Sequence, residues 1–422
     1  MLQQQSKSKI NLLLIKLLAF FIVLTPRLPI SSSHAIRMEQ VLVIGICFYA
    51  MVRFLIFRKL TIHISLFPVM FILFSMFILY SIFNGYFHGY RIVLNDFFEL
   101  YKIIIYIGTF LITATLINDQ EDKVEILKFL NILIWISGLI AITQYFNVLG
   151  LNEKYVKIIA PTQYLTLVDG YKNPRVISLS DNPNVYAVIV AIGALISLGL
   201  FFYEKKKYNI IIFGIDYIAL LMTRSRTGFI LSVVSIFIFF ILGLREYTRK
   251  KSIGIGGRIK LMFGIGVFGV AFMALVFFVA PDALTWRLKE ILDISSSRSW
   301  QLRLANWSEH FNYFLGCPIL GMGPVKAIKY QYNADNEWLI LLKKYGIVGT
   351  IYFINMFFIP VLAHWRKLTN NLIGKIYIST LVGAILYMVP AALFHSFQLM
   401  ALIMILAGMS FSSSNSLRKI KF

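Results

Sequence analysis

Residues 183-PNVYAVIVAIGALISLGLFFY-203 form an apolar run without a charged side chain. A helix needs about 20 consecutive apolar residues to cross the hydrocarbon core of a bilayer. The run is continuous and does not alternate between apolar and polar positions, so it favours a helix over a strand of a membrane barrel. This stretch alone predicts a protein that is surrounded by lipid.

Similar runs recur along almost the whole chain of 422 residues, of which 59% are hydrophobic. A soluble domain could not bury that much apolar surface. We therefore predict a single polytopic membrane domain, residues 1–422, with an all-α, GT-C-like fold of about 12 transmembrane helices. The predicted spans are 10–26, 39–57, 62–83, 97–117, 126–149, 183–203, 208–223, 228–244, 259–280, 337–363, 372–391 and 395–411.

Clusters of lysine and arginine between the predicted spans set the predicted orientation. The net charge of +22 could indicate nucleic-acid binding, but short clusters such as 205–207 and 249–251 follow the positive-inside rule for cytoplasmic loops. All such clusters fall on one face if the N-terminus is cytoplasmic. We therefore predict a multi-pass protein with both termini in the cytoplasm, surrounded by membrane lipids and without a nucleic-acid partner.

Two long extracytoplasmic loops, 150–182 and 281–336, lie on the opposite face in this topology. That face carries lysines and arginines against the charge trend, and we single out four of the arginines because a guanidinium offers a planar fork that matches phosphate oxygens. We interpret them as an anion site, although interface anchoring and the indifference of long loops to charge remain alternatives. The four are Arg175, Arg224, Arg226 and Arg303.

The segment 297-SRSWQLRLANW-307 lies within the second long loop and contains two arginines and two tryptophans. A helix over 298–314 would end before Cys317 and would be typical of an amphipathic helix at the membrane surface. Arg303 would then lie at the depth of a lipid-linked phosphate. The residues that would share one face of this helix are Trp300, Arg303, Trp307 and His310.

Polar residues stand where the chain enters two of the predicted spans, at positions typical of a helix N-cap. At the first entry we favour simple capping by Asp181 or Asn182. At the second entry Asp335 precedes the span 337–363, and it is either part of a cap or a catalytic base. Glu337 occupies the first turn, where the helix dipole favours a carboxylate.

The order of these motifs resembles the superfamily of Wzy-type O-antigen polymerases and O-antigen ligases, over about residues 170–350. The resemblance implies a membrane glycosyltransferase of the bacterial inner (plasma) membrane, which acts outside the cytoplasm on undecaprenyl-diphosphate-linked oligosaccharides. It also implies a chain-length regulator protein as a partner and no metal or cofactor, because the diphosphate already activates the donor. The motifs are Asn182-Pro183-Asn184, Ser225-Arg226-Thr227-Gly228, Arg303 with Trp307, 318-PILGMGP-324, 335-DNEWL-339 and 346-GIVG-349.

Carried over by motif, Arg226 and Arg303 correspond to diphosphate-binding arginines, and Arg175 and Arg224 are further candidates. The ligase branch typically has a histidine at the position of Asp335, so the aspartate favours a polymerase. In the implied reaction, a hydroxyl of one lipid-linked repeat unit attacks the anomeric carbon of a growing glycan, and undecaprenyl diphosphate leaves. The arginines would stabilise the charge of the leaving group, while Asp335, or His310 as second choice, would accept the proton.

Three alternatives remain open at this point. The first is an O-antigen ligase. The second is a flippase for lipid-linked oligosaccharides, although transporters often place ionisable groups within their spans, whereas here such groups concentrate in two outer loops. The third is a glycosyltransferase that uses polyprenyl-monophosphate sugars, with Asp96 and Glu99 as catalytic residues. The sequence leaves the product open between O-antigen of lipopolysaccharide and capsule.

Overall fold

A computed structural model of the chain describes residues 2–29, 35–57, 59–63, 65–160, 164, 174–251, 256–257, 260, 264, 281, 285, 298–326, 334–412 and 417–421. Most of these residues are helical. The helices are α1 (Leu2–Leu24), α2 (Met38–Phe57), α3 (Leu66–Phe87), α4 (Phe98–Leu116), α5 (Gln120–Tyr145), α6 (Pro183–Glu204), α7 (Tyr208–Thr223), α8 (Arg226–Lys250), α9 (Arg298–Gly316), α10 (Glu337–Ala363), α11 (Trp365–Thr369), α12 (Leu372–Tyr387) and α13 (Phe397–Phe411).

Short elements connect these helices. Single helical turns occur at Leu94–Phe97, Val148–Gly150, Asn152–Val156 and Lys157–Ile159. Two antiparallel strand pairs are also present: β1 (Leu28–Pro29) with β2 (Ala35–Ile36), and β3 (Lys59–His63) with β4 (Leu417–Lys421).

Among the described residues, 7 helices are long and apolar enough to cross a membrane. Helices α7, α12 and α13 are apolar but shorter. These helices confirm the prediction of a helical membrane architecture, with two short strand pairs in addition, whereas the number of about 12 spans and the GT-C-like arrangement stay predictions. The predicted span 259–280 lies outside the described residues, apart from Lys260 and Gly264. The 7 helices are α2, α3, α4 with the preceding turn, α5, α6, α8 and α10.

Every other predicted span coincides with a helix, although the ends are displaced at α1, which begins at Leu2 and not at residue 10, and at α5. Hydropathy placed this span at 126–149, but the helix runs from Gln120 to Tyr145. Glu121 and Asp122 lie in its first turn, where acidic side chains are favoured by the helix dipole. A hydropathy window discards such charged turns, so it begins the helix too late.

The chain divides into two compact units. Unit 1 comprises Met1–Leu42, Leu116–Asp293 and Arg366–Ala384. Unit 2 comprises Val43–Thr115, Ile294–Trp365 and Ile385–Phe422.

Unit 1 is built around α6, which packs against α5, α7 and α8. Small residues allow these helices to approach closely, as is common between membrane helices. A Cβ atom on Gly228 would lie 2.4 Å from the Cβ of Ala187, and one on Gly193 would lie 2.3 Å from Ile134. The first turn of α8 is therefore held directly against α6.

Unit 2 has an aromatic core between α3, α10 and the segment before α13. Phe74 meets Tyr345 and Phe394 edge-on, at ring-centroid distances of 5.4 Å and 6.3 Å. Phe353 packs on Phe394 at 4.9 Å. These contacts fix the beginning of α10 relative to residues 385–396 within this unit.

Helix α10 is interrupted at Gly346, whose φ of 63° and ψ of −169° are almost restricted to glycine. The loop after α9 fills the break: Met322 N donates to Lys343 O at 3.1 Å, and Gly323 N donates to Lys344 O at 2.9 Å. A Cβ on Gly346 would lie 2.3 Å from the carbonyl oxygen of Ile319. The glycine motifs at 318–324 and 346–349 therefore have a clear structural role, which is to seat this loop in the helix break.

Candidate functional site

The turn between α7 and α8, residues 223–226, contains two of the predicted anion-binding arginines, and we call it the arginine turn. Arg224 ends α7 in a left-handed conformation with φ 51°, and its N–H donates to Leu221 O at 3.0 Å. Ser225 then caps α8, since its Oγ accepts a hydrogen bond from Gly228 N at 3.2 Å. A left-handed residue followed at once by an N-cap makes the turn as short as the sequence predicts.

Arg224 is buried at this turn, with only 2% of its surface exposed. None of its three guanidinium nitrogens makes a hydrogen bond in the part of the chain that the structure describes. Burial lowers the pKa of Arg224, while the neighbouring Tyr145 hydroxyl acts in the opposite direction. Burying a charge without a compensating partner is unfavourable by several kcal/mol. The geometry is therefore suited to an anion.

Arg175 is held by the same turn and has hydrogen-bond partners. Its Nε donates to Thr223 O at 2.9 Å, and its Nη2 donates to Asn184 Oδ1 at 3.1 Å. Asn184 Oδ1 also accepts from Ser225 Oγ at 2.9 Å. Arg175 thus ties the turn to the first residues of α6 and orients its neighbours.

Three of the four predicted arginines therefore come together in unit 1. Arg226 is the first residue of α8 and is half-buried, whereas its neighbour Arg224 is buried. The remaining predicted site residues, Arg303, His310 and Asp335, belong to unit 2.

The amphipathic helix predicted over 298–314 is present as α9, and it ends before Cys317 as expected. Trp300 and Trp307 pack edge to face with centroids 5.4 Å apart, and Arg303 Cζ lies 5.9 Å from the centroid of the Trp300 ring. His310 is buried on this helix, at 2% exposure. Several large apolar residues of α9 remain exposed, namely Leu302, Leu304, Phe311 and Leu315.

Hydrogen bonds show which residues cap the two helices, α6 and α10, that begin after polar residues. Asn182 caps α6 by accepting from Asn184 N at 2.8 Å, while Asp181 pairs with Arg27 at 3.1 Å. At α10, Asn336 is the cap and accepts from Leu339 N at 3.1 Å.

Asp335 therefore does not cap α10. It has a left-handed φ of 47°, and its side chain is exposed. An exposed carboxylate immediately before a capped helix remains available for a substrate.

Unit 2 contains a buried network of charged side chains that we did not predict from the sequence, and we call it the lysine network. Glu99 Oε2 lies 2.6 Å from Lys102 Nζ, and Glu99 Oε1 lies 2.8 Å from Lys344 Nζ. Lys344 Nζ also lies 2.8 Å from His395 Nε2, and His395 Nδ1 lies 2.5 Å from Glu337 Oε1. A protonated lysine is only a donor, so Nε2 accepts and Nδ1 donates to the glutamate.

Glu337 lies in the first turn of α10, as predicted, and it is also part of the lysine network through His395. It is completely buried, and its Oε2 accepts from Phe394 N at 3.0 Å. The signal that could have revealed the network is the charge inside apolar spans, at Glu99, Lys102 and Lys344, because intramembrane ionisable residues are rare. His395 carried no comparable signal.

The alternative of a transferase for polyprenyl-monophosphate sugars assigned catalysis to Asp96 and Glu99. Both carboxylates are bound to groups of the protein itself. Asp96 Oδ2 accepts from Val93 N at 2.8 Å, and its Oδ1 accepts from Lys326 N at 2.7 Å. Glu99 belongs to the lysine network. Within the described ranges, no group of three or more His, Cys, Asp or Glu side chains is arranged to hold a metal ion.

The comparisons with known proteins bear on the segment that contains these residues. No curated protein matches the chain. The family model described as O-antigen ligase, Wzy_C, matches residues 210–354, which include the arginine turn, the amphipathic helix and Asp335. This match covers about a third of the chain, and together with the motif order and the helical membrane architecture it supports a similarity to the superfamily of O-antigen polymerases and O-antigen ligases.

Proposed function

We propose that this protein is a polysaccharide repeat-unit polymerase of the bacterial inner membrane. It transfers a growing glycan from undecaprenyl diphosphate to another lipid-linked repeat unit on the extracytoplasmic face, in the synthesis of O-antigen or capsule. The observation that carries the proposal is the buried guanidinium of Arg224, which pairs with no carboxylate among the described residues and lies within the segment that matches the family.

The chemistry of the reaction explains why such a group is useful. Departure of undecaprenyl diphosphate gathers negative charge on the diphosphate in the transition state. A preorganised guanidinium in a water-poor site stabilises that charge more than a solvated one does. Arg226 follows Arg224 in the same turn, and Arg175 holds the turn in place. Arg303, on α9 of unit 2, is a separate candidate for contact with phosphate.

Asp335 is our first choice for the base that takes the proton from the acceptor hydroxyl. Its carboxylate is exposed, whereas His310 is buried at 2% exposure. A general base must come within hydrogen-bond reach of the hydroxyl that it deprotonates. The accessible carboxylate meets this condition more readily than the buried imidazole.

The test is the ladder of surface polysaccharide produced by a deletion strain that carries a plasmid copy. Arg224→Ala, Arg226→Ala and Arg303→Ala should each abolish chain extension at normal protein levels. Arg91→Ala is the control, because this exposed arginine lies in another predicted outer loop. Full ladders from all three arginine variants would remove the diphosphate hypothesis.

A ligase is the second candidate, because the matched family model is described as O-antigen ligase. The lipid-linked intermediates of the deletion strain separate the two. Loss of a polymerase leaves single repeat units on undecaprenyl diphosphate, whereas loss of a ligase leaves full-length polymer on it. We expect single repeat units.

A chain-length regulator protein is the partner that we expect for a polymerase.

A further inference from the structure

In the lysine network, the carboxylate of Glu99 lies within ion-pair distance of three ammonium groups. Besides Lys102 and Lys344, Lys326 Nζ lies 3.9 Å from Glu99 Oε1. The side chain of Lys326 is 31% exposed, whereas those of Lys102 and Lys344 are buried, so Lys326 is the most accessible of the three. Among the described residues, Glu99 is the carboxylate within ion-pair distance of all three ammonium groups, while Glu337 and Asp96 attract them from a greater distance.

The other carboxylates of this region are already engaged. Glu337 accepts from His395 and from Phe394 N. Asp96 accepts from two backbone amides, including that of Lys326. Neither can turn to a lysine side chain without leaving a buried donor unpaired, which is unfavourable by about 1–3 kcal/mol.

Lys343 adds a fourth cation, next to Lys344 in sequence. Lys343 is 8% exposed and has no carboxylate within ion-pair distance in the described part of unit 2. Its Nζ lies 5.9 Å from the centroid of the Tyr313 ring, and Glu309 of α9 attracts it only from a greater distance. Lys343 is therefore a largely buried lysine that forms no ion pair with an acid among the described residues.

The crowding of these cations has an electrostatic consequence. Repulsion by Lys344, together with burial, lowers the pKa of Lys326 to about 8, although Glu99 and Asp96 act in the opposite direction. The backbone of Lys343 and Lys344 is also held in place, because the amides of Met322 and Gly323 bind their carbonyl oxygens. A compact anion close to these ammonium groups would relieve their mutual repulsion.

We propose that Lys326, Lys343 and Lys344 form a second phosphate-binding site, which takes the diphosphate of the second lipid-linked oligosaccharide. Lysines bind phosphate as compact point charges with three donors each. The site lies where α4 and α10 begin, on the extracytoplasmic side in the predicted topology. This inference rests on the proposed function, since a polymerase must hold two lipid diphosphates at once, whereas a ligase holds one.

The experiment measures equilibrium binding of radiolabelled undecaprenyl diphosphate to the purified full chain in phosphatidylcholine nanodiscs. Unaltered protein should bind two equivalents. The double variant Lys326→Gln and Lys343→Gln should bind one, and Arg224→Ala should also bind one, at the lysine site. Both changes together should remove binding. The control is Lys154→Gln with Lys157→Gln, which removes two exposed lysines from a predicted outer loop and should leave both equivalents in place.

The outcomes separate this inference from the proposed function. Two equivalents in the Lys326/Lys343 variant would overturn the lysine site. If Arg224→Ala retains both equivalents while the lysine variant loses one, the lysine site stands and the role of Arg224 fails. A parallel series contains phosphatidylglycerol. Persistence of the second equivalent there supports a diphosphate site, whereas its loss assigns the site to an anionic lipid headgroup and overturns the assignment to a second substrate.

Discussion

The arginine turn and the lysine network are both cationic and buried, yet they differ in what surrounds the charge. Among the described residues, the guanidinium of Arg224 pairs with no carboxylate, and the Tyr145 hydroxyl is the neighbouring polar group that acts on it. Lys102 and Lys344, in contrast, share Glu99, and a histidine and a second glutamate continue the chain of contacts. The first arrangement leaves its charge for an external anion, whereas the second pairs the ammonium groups of Lys102 and Lys344 with a carboxylate of the protein. The two regions should therefore respond in opposite ways to loss of a charged group.

The largest effect should follow removal of the shared carboxylate. Glu99→Gln leaves Lys102 and Lys344 without their common partner, so we expect the free energy of unfolding to fall by about 3–5 kcal/mol. Thermal unfolding of the purified protein in one detergent measures it. The control is Glu125→Gln, which breaks the more exposed pair with Lys16 and should cost less than about 1 kcal/mol.

A double variant tests the cause of that loss. Adding Lys344→Met to Glu99→Gln removes one of the stranded cations and should recover part of the stability. Absence of any recovery would mean that Glu99 stabilises unit 2 by some route other than neutralising Lys344.

The next effect concerns the helix break that positions two of the lysines. Gly346→Ala imposes a side chain on a conformation that is almost restricted to glycine, and its Cβ would meet the carbonyl of Ile319. We expect a loss of about 1–3 kcal/mol in the same unfolding assay. Gly45→Ala in α2 is the control, because a Cβ there meets nothing within 4 Å. Equal effects of the two changes would contradict the seating of the loop in the break.

Replacement of Arg224 should change the free energy of unfolding in the opposite direction to replacement of Glu99. Arg224→Met removes a buried charge that lacks a hydrogen-bond partner in the described part of the chain, so stability should hold or rise by about 1 kcal/mol while chain extension is lost. Arg175→Met is the matched comparison, since it breaks hydrogen bonds to Thr223 and Asn184 and should lower stability by about 1–3 kcal/mol. A clear loss of stability in Arg224→Met would mean that this arginine, like Lys102 and Lys344, has a stabilising partner within the protein.

The smallest change in stability is expected at Asp335. Asp335→Asn should alter the free energy of unfolding by less than about 0.5 kcal/mol, because the side chain is exposed and asparagine tolerates a left-handed φ. Chain extension should nevertheless be severely reduced. Asn336→Ala provides the converse, a loss of about 1 kcal/mol from the missing cap with the polysaccharide ladder retained. Near-normal chain lengths in Asp335→Asn would remove Asp335 as the base.

Much of the fold could be predicted because each helix depends mainly on its own stretch of chain. An apolar run such as 183–203 predicts a spanning helix because its length matches the thickness of a bilayer. A cap such as Asn182 depends only on residues within three positions of it. The amphipathic helix α9 could likewise be predicted from residue spacing alone. The errors at α5 arose where a charged first turn continued a helix that hydropathy had excluded.

The sequence by itself determined that this is a helical membrane protein, where most helices begin, and which arginines stand outside the spans. Only the tertiary structure decided that Arg224 is buried while Arg226 is half-buried, and that Lys344 meets Glu99 from 245 residues away. The physical reason is the range of the interactions. Helix formation and capping are local, whereas the energy of a charge depends on every group that packing brings near it, and no sequence pattern encodes those neighbours.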